Sequence, residues 1–132
     1  LKSPVRVGGG TIFGPVPRDY DFKLNKKVTQ LARKSALSLR AKQNELLVLD
    51  ALNFDAPKTK AMVEVLNALQ VAGKKVLFVV ADANLNARKS AANIQRVNVV
   101  NVNELNTYTI MNSNVVVLTE ASAAAIEATL NA

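Results

Sequence analysis

Two aspartates and a run of cations are the residues of this chain with chemistry to offer. Asp50 closes the apolar run LLVLD, and Asp82 follows VLFVVA. If both runs are strands of a parallel sheet, the two carboxylates stand at its carboxyl edge, where metal-assisted and phosphoryl-transfer enzymes of α/β type place acids. An aspartate after a strand more commonly caps a turn or the next helix, and no third acid, histidine or motif lysine joins this pair. The 132 residues include no cysteine and no histidine, which removes thiol nucleophiles, disulfides, cysteine-based zinc sites and the commonest general base. A metal-dependent enzyme using Asp50 and Asp82 is therefore the minor reading, and neither a metal site nor a cofactor is expected.

Glycines are the next candidates, because a glycine-rich loop before a helix can cradle phosphate. Four of the five glycines and three of the four prolines lie in residues 1–24. The stretch GGGTIFG (residues 8–14) fits neither G-x-G-x-x-G nor G-x-x-x-x-G-K-[ST], and Pro15 stands where the second pattern requires lysine. It also precedes the first apolar run, and the loops ALNFDAPK and ADANLNAR contain no glycine. A dinucleotide or P-loop site is not expected. Residues 1–24 show no helical or strand period and read as an extended, irregular arm. Glycine there permits close approach and positive φ against a phosphate backbone, and Pro15 and Pro17 stiffen the path. Phe13, Tyr20 and Phe22 either stack on bases or pin the arm to the domain.

The cations carry the strongest signal. The net charge is +7, and its surplus is confined to residues 1–42, which hold ten Lys/Arg against Asp19 and Asp21. From Val97 onward there is no Lys or Arg. In residues 25–42 the apolar positions Val28, Leu31, Ala32, Ser35 and Leu39, with Leu24 just ahead, recur at helical spacing, and Asn25 suits the N-cap. At 100° per residue these fall within about 60° of Val28, with Lys26, Arg33 and Arg40 on one flank and Lys27 and Lys34 on the other. The pattern predicts an inward apolar stripe and an outer face of cations. A charge run is often just a solvated face. Here no acid interrupts the segment from Lys23 to Asn44, so i, i+4 compensation is missing, and Lys26 and Lys27 occupy the first turn, where the helix dipole disfavours cations. Those local costs are offset if phosphates sit against the face. Lys2, Arg6, Arg18 and Lys23 continue it along the arm.

The elements that must hold these residues follow from periodicity. Residues 46–50, 75–80, 98–102 and 115–119 read as strands. They alternate with helical segments: 25–42, then one with Pro57 in its first turn and Gly73 just past its end, then 84–92, a turn at 106–112 and an alanine-rich helix capped by Thr119. Met62, Val65, Leu66 and Leu69 are the expected core of the second helix. Continuous Val/Leu strands between helices predict an α/β, Rossmann-like doubly wound domain, with a mostly parallel sheet of about four strands and helices on both faces. The arm would be residues 1–24 and the single globular domain residues 25–132. The apolar runs are too short to span a bilayer. Leu1 in place of methionine is what a fragment or processed product carries.

The stretch GGGTIFGPVPRDYDFKLNKKVTQLARKSALS (residues 8–38) resembles the segment that follows the long internal loop of the bacterial-type large-subunit ribosomal protein L-four family. The likeness continues through APKTK (56–60), NLNARKSAANI (84–94), LNTY (105–108) and VVLT (116–119). The resemblance implies a cytoplasmic, non-enzymatic constituent of the large ribosomal subunit. Its partners would be large-subunit ribosomal RNA and neighbouring ribosomal proteins, with no membrane and no small-molecule substrate. It also implies a part in subunit assembly and, in some members, repression of the family's own operon. By matching positions, Gly8, Gly9, Gly10, Phe13, Gly14, Pro15, Pro17 and Arg18 belong to an RNA-embedded arm, and Lys23, Asn25, Lys26 and Lys27 to an RNA-facing helix start, with Arg33 and Lys34 further along. Lys58, Lys60, Arg88 and Lys89 complete the expected contact set with Lys2, Arg6 and Arg40. Two departures from the family pattern stand out: Arg6 and Val7 precede the glycines where an aromatic and then an arginine are usual, and Ala92 stands where an arginine is usual. The family's upstream strand, helix and tunnel-lining loop tip are expected to lie before Leu1.

Overall fold

In the computed structural model, which describes residues 2–81 and 85–131, the order of elements is α1 (Lys26–Lys42), β1 (Leu46–Leu49), α2 (Thr59–Ala68), β2 (Val76–Val80), α3 (Leu85–Ala91), β3 (Val97–Asn101), a 3-10 turn (Val102–Glu104), α4 (Thr107–Asn112), β4 (Val115–Thr119) and α5 (Glu120–Asn131). The four strands form one parallel sheet in the order β1-β4-β2-β3. All residues of β2 and β4 are buried. That is why both read as unbroken Val/Leu/Phe runs rather than alternating ones.

The pleat divides the core between two faces. Val76, Phe78 and Val80 of β2 and Val115 and Val117 of β4 pack with Met62 and Leu66 of α2 and Ala87 and Ala91 of α3. Leu77, Val79, Val116 and Leu118 point the other way, to Ala36 of α1, Ile110 of α4 and Ile126 of α5. Helices therefore cover both faces, as the doubly wound reading requires. The chain runs from β1 to β2 to β3 with its helices on one face, then returns to β4 with α4 on the other. Keeping one hand of crossover while the direction reverses demands that change of face.

Local chemistry explains the element ends, and three of them differ from expectation. Pro57 lies outside α2: Lys58 is the N-cap in extended backbone and the helix begins at Thr59. Gly73 does not end α2 either. Gln70 takes the left-handed conformation at φ 57°, its N–H donates to Asn67 O and the Val71 N–H donates to Leu66 O. This is a Schellman closure, and buried Val71 on Leu66 supplies its apolar contact. Gly73, at φ +82°, shapes the later turn into β2. Asn25 is the N-cap of α1 by backbone, but its side chain makes no capping bond; Thr29 Oγ1 instead donates to Lys26 O at 2.7 Å. By contrast Thr119 caps α5 as expected, accepting from the Ser122 N–H at 3.3 Å. A reciprocal Asn106–Thr109 capping box starts α4.

Candidate nucleic-acid interface

α1 forms where its spacing predicts, but it is turned. The expected inward stripe faces outward: Val28 is 50% exposed, Leu31 64% and Leu39 39%, with Leu24 exposed ahead of them. The covered side carries Ala36, buried, with Thr29, Ala32, Arg33, Leu37 and Arg40 half-buried. Relative to the apolar pattern the helix is rotated by roughly 100°. Two contacts explain the rotation. Ala36 is small enough to let α1 sit close over the second core, which a leucine at that position would hold off. Arg40 reaches acceptors that no other side chain of α1 meets.

Arg40 is heavily engaged, its side chain 12% exposed. Nε donates to Ile110 O at 3.3 Å, Nη2 to Met111 O at 2.8 Å, and Nη1 to the Glu45 carboxylate and to Gln43 Oε1. It thereby satisfies the last carbonyls of α4 and pairs the acid that enters β1. Arg33 lines a narrow cleft with Leu37, Val102, Leu105 and Ile126. The expected outer face of cations is thus corrected: Arg33 and Arg40 lie on the packed side. Lys26 and Lys27 stand exposed in the first turn, and Lys34 stands on the exposed side with the apolar stripe.

Residues 2–25 contain neither helix nor strand, yet their first part is not extended. Arg6 N–H donates to Ser3 O, Gly9 N–H to Arg6 O, and Gly10 N–H to Lys2 O at 3.2 Å, so residues 2–10 close on themselves. Two glycines are required by that loop. Gly8 has φ +74°, and a Cβ on Gly9 would lie 1.9 Å from Ser3 O. The close approach is to the chain's own backbone. Gly10 and Gly14 meet only ordinary or open surroundings. Phe13 (97% exposed), Tyr20 and Phe22 stand in solvent, which removes the pinning alternative. Arg18 lies 4.4 Å from the centroid of the Tyr20 ring, a cation–π pair on the surface. Lys2, Arg6, Arg18 and Lys23 are exposed.

Strand direction sorts the remaining cations. α1 runs antiparallel to the strands, so Lys26 and Lys27 lie toward the carboxyl edge of the sheet, as do Lys58 and Lys60 at the start of α2. All four are exposed, but α1 and α2 cover opposite faces. Arg88 and Lys89 are exposed on α3, and Arg88 Nη1 lies 3.4 Å from Glu104 Oε1. The expected set is therefore not one patch. It comprises exposed cations of the arm and of two helix starts, a pair of cations on α3, and two arginines turned inward.

At the carboxyl edge Asp50 lines a crevice of about 110 Å³ with Asn53, Val80, Ala81 and Thr119. That is below the roughly 300 Å³ at which small-molecule pockets begin. Asp82 lies outside the described residues. Among the described residues no three acids, histidines or cysteines gather in one place.

At the amino edge stand three cations that sequence reasoning did not single out: Lys74, Lys75 and Arg96, all exposed. They were hidden in a stretch whose total charge balances. What links them is their place in the chain: Lys74 and Lys75 directly precede β2 and Arg96 directly precedes β3, so strand direction puts all three at the edge where the strands begin.

Comparison with known proteins completes the description. Residues 1–129 match the sequence model of the ribosomal protein L4/L1 family. A large ribosomal subunit protein uL4 of Bacteroides fragilis is 55% identical over 127 residues, covering 96% of this chain and 61% of that protein. The uL4 protein of Phocaeicola vulgatus is 52% identical over 127 residues, with 96% and 61% covered. That of Flavobacterium johnsoniae is 49% identical over 131 residues, with 99% and 63% covered. The chain spans about three fifths of the length of these relatives.

Proposed function

Because the chain belongs to the ribosomal protein L4/L1 family, we propose that it is a structural, non-enzymatic constituent of the cytoplasmic large ribosomal subunit that binds large-subunit ribosomal RNA and contributes to subunit assembly. The observation that carries this reading is the family match over residues 1–129 together with the confinement of the charge surplus to residues 1–42. Binding is through phosphate contacts and shape. The arm, residues 1–24, supplies Lys2, Arg6, Arg18 and Lys23, with Phe13, Tyr20 and Phe22 free to stack on unpaired bases. The first turn of α1 supplies Lys26 and Lys27. There, positive charge against the helix dipole is a local cost that an adjacent phosphate removes. Lys34, Lys58, Lys60, Arg88 and Lys89 extend the contacts, and neighbouring ribosomal proteins take other surfaces. Arg40 is left out, because its donors serve α4 and Glu45, and Arg33 is left out for its place in the cleft.

The test is the salt dependence of binding to large-subunit ribosomal RNA. Log affinity should fall linearly with log salt, and Lys26→Ala with Lys27→Ala should reduce the slope by about 1 to 2. An unchanged slope removes the start of α1 from the interface. A wild-type affinity indifferent to salt removes the reading altogether. The metal-enzyme alternative on Asp50 and Asp82 has no observation in its favour and is set aside by the family match.

A further inference from the structure

We infer that the amino edge of the sheet is a second RNA-backbone contact surface, in which Lys75 and Arg96 hold a phosphate and Lys74 adds charge beside them. The inference rests on the ribosomal RNA reading above and extends it to an edge remote from the arm.

A groove of about 190 Å³ opens there, lined by Lys75, Arg96, Asn98, Thr109, Asn112 and Ser113 beside the first residues of β2 and β3. No acid lines it. The way its two cations are held separates them from Arg40 and Arg88. Arg40 and Arg88 each reach a carboxylate, Glu45 and Glu104, which cancels their charge locally. Lys75 Nζ instead donates to the Asn112 amide oxygen at 3.2 Å, and Arg96 Nη1 donates to the Gly73 carbonyl at 3.2 Å. Both acceptors are neutral. They orient the ammonium and the guanidinium without neutralising either, and an ammonium has three donors and a guanidinium five, so most remain for a ligand.

Backbone and dipole point the same way. Arg96 sits at φ 66°, a left-handed conformation that a long side chain rarely adopts. A glycine or asparagine would suit that turn better on local grounds, so the cation is held there against backbone preference. The end of α4 lies by the groove, and its partial negative charge would oppose an anion. However, its Ile110 and Met111 carbonyls are taken by Arg40. What remains is two oriented cations lining one groove, with Lys74 next to Lys75 in the chain. Their charge suits a polyanion. At about 190 Å³ the groove is below the roughly 300 Å³ at which small-molecule pockets begin, which suits a phosphodiester on a continuous backbone better than an enclosed small molecule.

The test compares salt slopes for large-subunit ribosomal RNA in the 132-residue chain, its Lys75→Gln/Arg96→Asn variant and its Lys26→Ala/Lys27→Ala variant. Asparagine keeps the turn at position 96 compatible with positive φ, and circular dichroism checks that the fold is kept. The amino-edge variant should lower the slope by about 1 to 2, with the effect adding to that of the α1 variant. A slope lowered at α1 but unchanged at the amino edge overturns this inference while leaving the RNA reading intact; it is also the result expected if an acidic protein covers the edge. Loss of salt dependence in the wild type overturns both. If Lys75→Gln/Arg96→Asn misfolds, Lys74→Gln/Lys75→Gln, confined to exposed side chains, should still lower the slope by about 1 to 2, and no change there overturns the inference equally.

Discussion

α1 and α2 are both amphipathic, and they use their patterns in opposite ways. α2 buries the residues its spacing selects: Met62 and Leu66 are buried, Val65 and Leu69 half-buried, all against β2, β3 and β4. α1 turns its larger apolar residues outward and packs through alanine, a leucine and two arginine stems. The difference lies in what surrounds each helix. α2 packs on the sheet and α3 through apolar side chains, so hydrophobic burial sets its rotation. α1 crosses the carbonyl end of α4 and the entry to β1, where a cation satisfies more groups than a leucine would. An apolar stripe predicts that a helix is amphipathic, and it names the buried face only when no polar partner competes.

Five substitutions break or sharpen this comparison, read as shifts in urea or thermal unfolding. Met62→Ala should cost about 2–5 kcal/mol, since α2 depends on a fully buried side chain. Arg40→Met should cost about 2 kcal/mol, because Glu45 loses its partner and the last carbonyls of α4 lose their donor. A cost near zero would mean that the rotation of α1 is not set by Arg40. Gln70→Gly should stabilise by about 0.5–1 kcal/mol by relieving a left-handed residue at the end of α2. The matching change Asn44→Gly at the end of α1 should gain less, since asparagine already tolerates φ 56°. Leu31→Gln should stay within about 0.5 kcal/mol, as the side chain is exposed. A loss as large as that of Met62→Ala would restore the apolar stripe of α1 to the core.

Much of the fold was legible because it rests on local rules. The four strand positions, the capping of α5 by Thr119 and the core role of Met62 and Leu66 follow from periodicity and side-chain chemistry. The ends of α2 were less so. Pro57 and Gly73 are general punctuation, whereas the actual stop uses Gln70 because Val71 can be buried on Leu66. In the candidate interface, Lys26, Lys27 and the arm cations were singled out by charge density, the helix dipole and the family resemblance, and they are exposed. Arg40 was assigned outward because a sequence does not reveal the carbonyls of residues 110 and 111. The glycine triplet matches no nucleotide motif, and the crowding at Gly9 comes from Ser3 of its own loop.

By itself the sequence determined the kind and order of elements, the parallel α/β class and the family. These depend on periodicity, short-range capping and motif residues that are adjacent in the chain. Only the tertiary structure decided the strand order β1-β4-β2-β3, the rotation of α1 and the meeting of Lys75 with Arg96 in one groove. Each of those depends on which distant groups come within hydrogen-bond or packing distance, and such short-range forces act only once the sheet has brought the strands together.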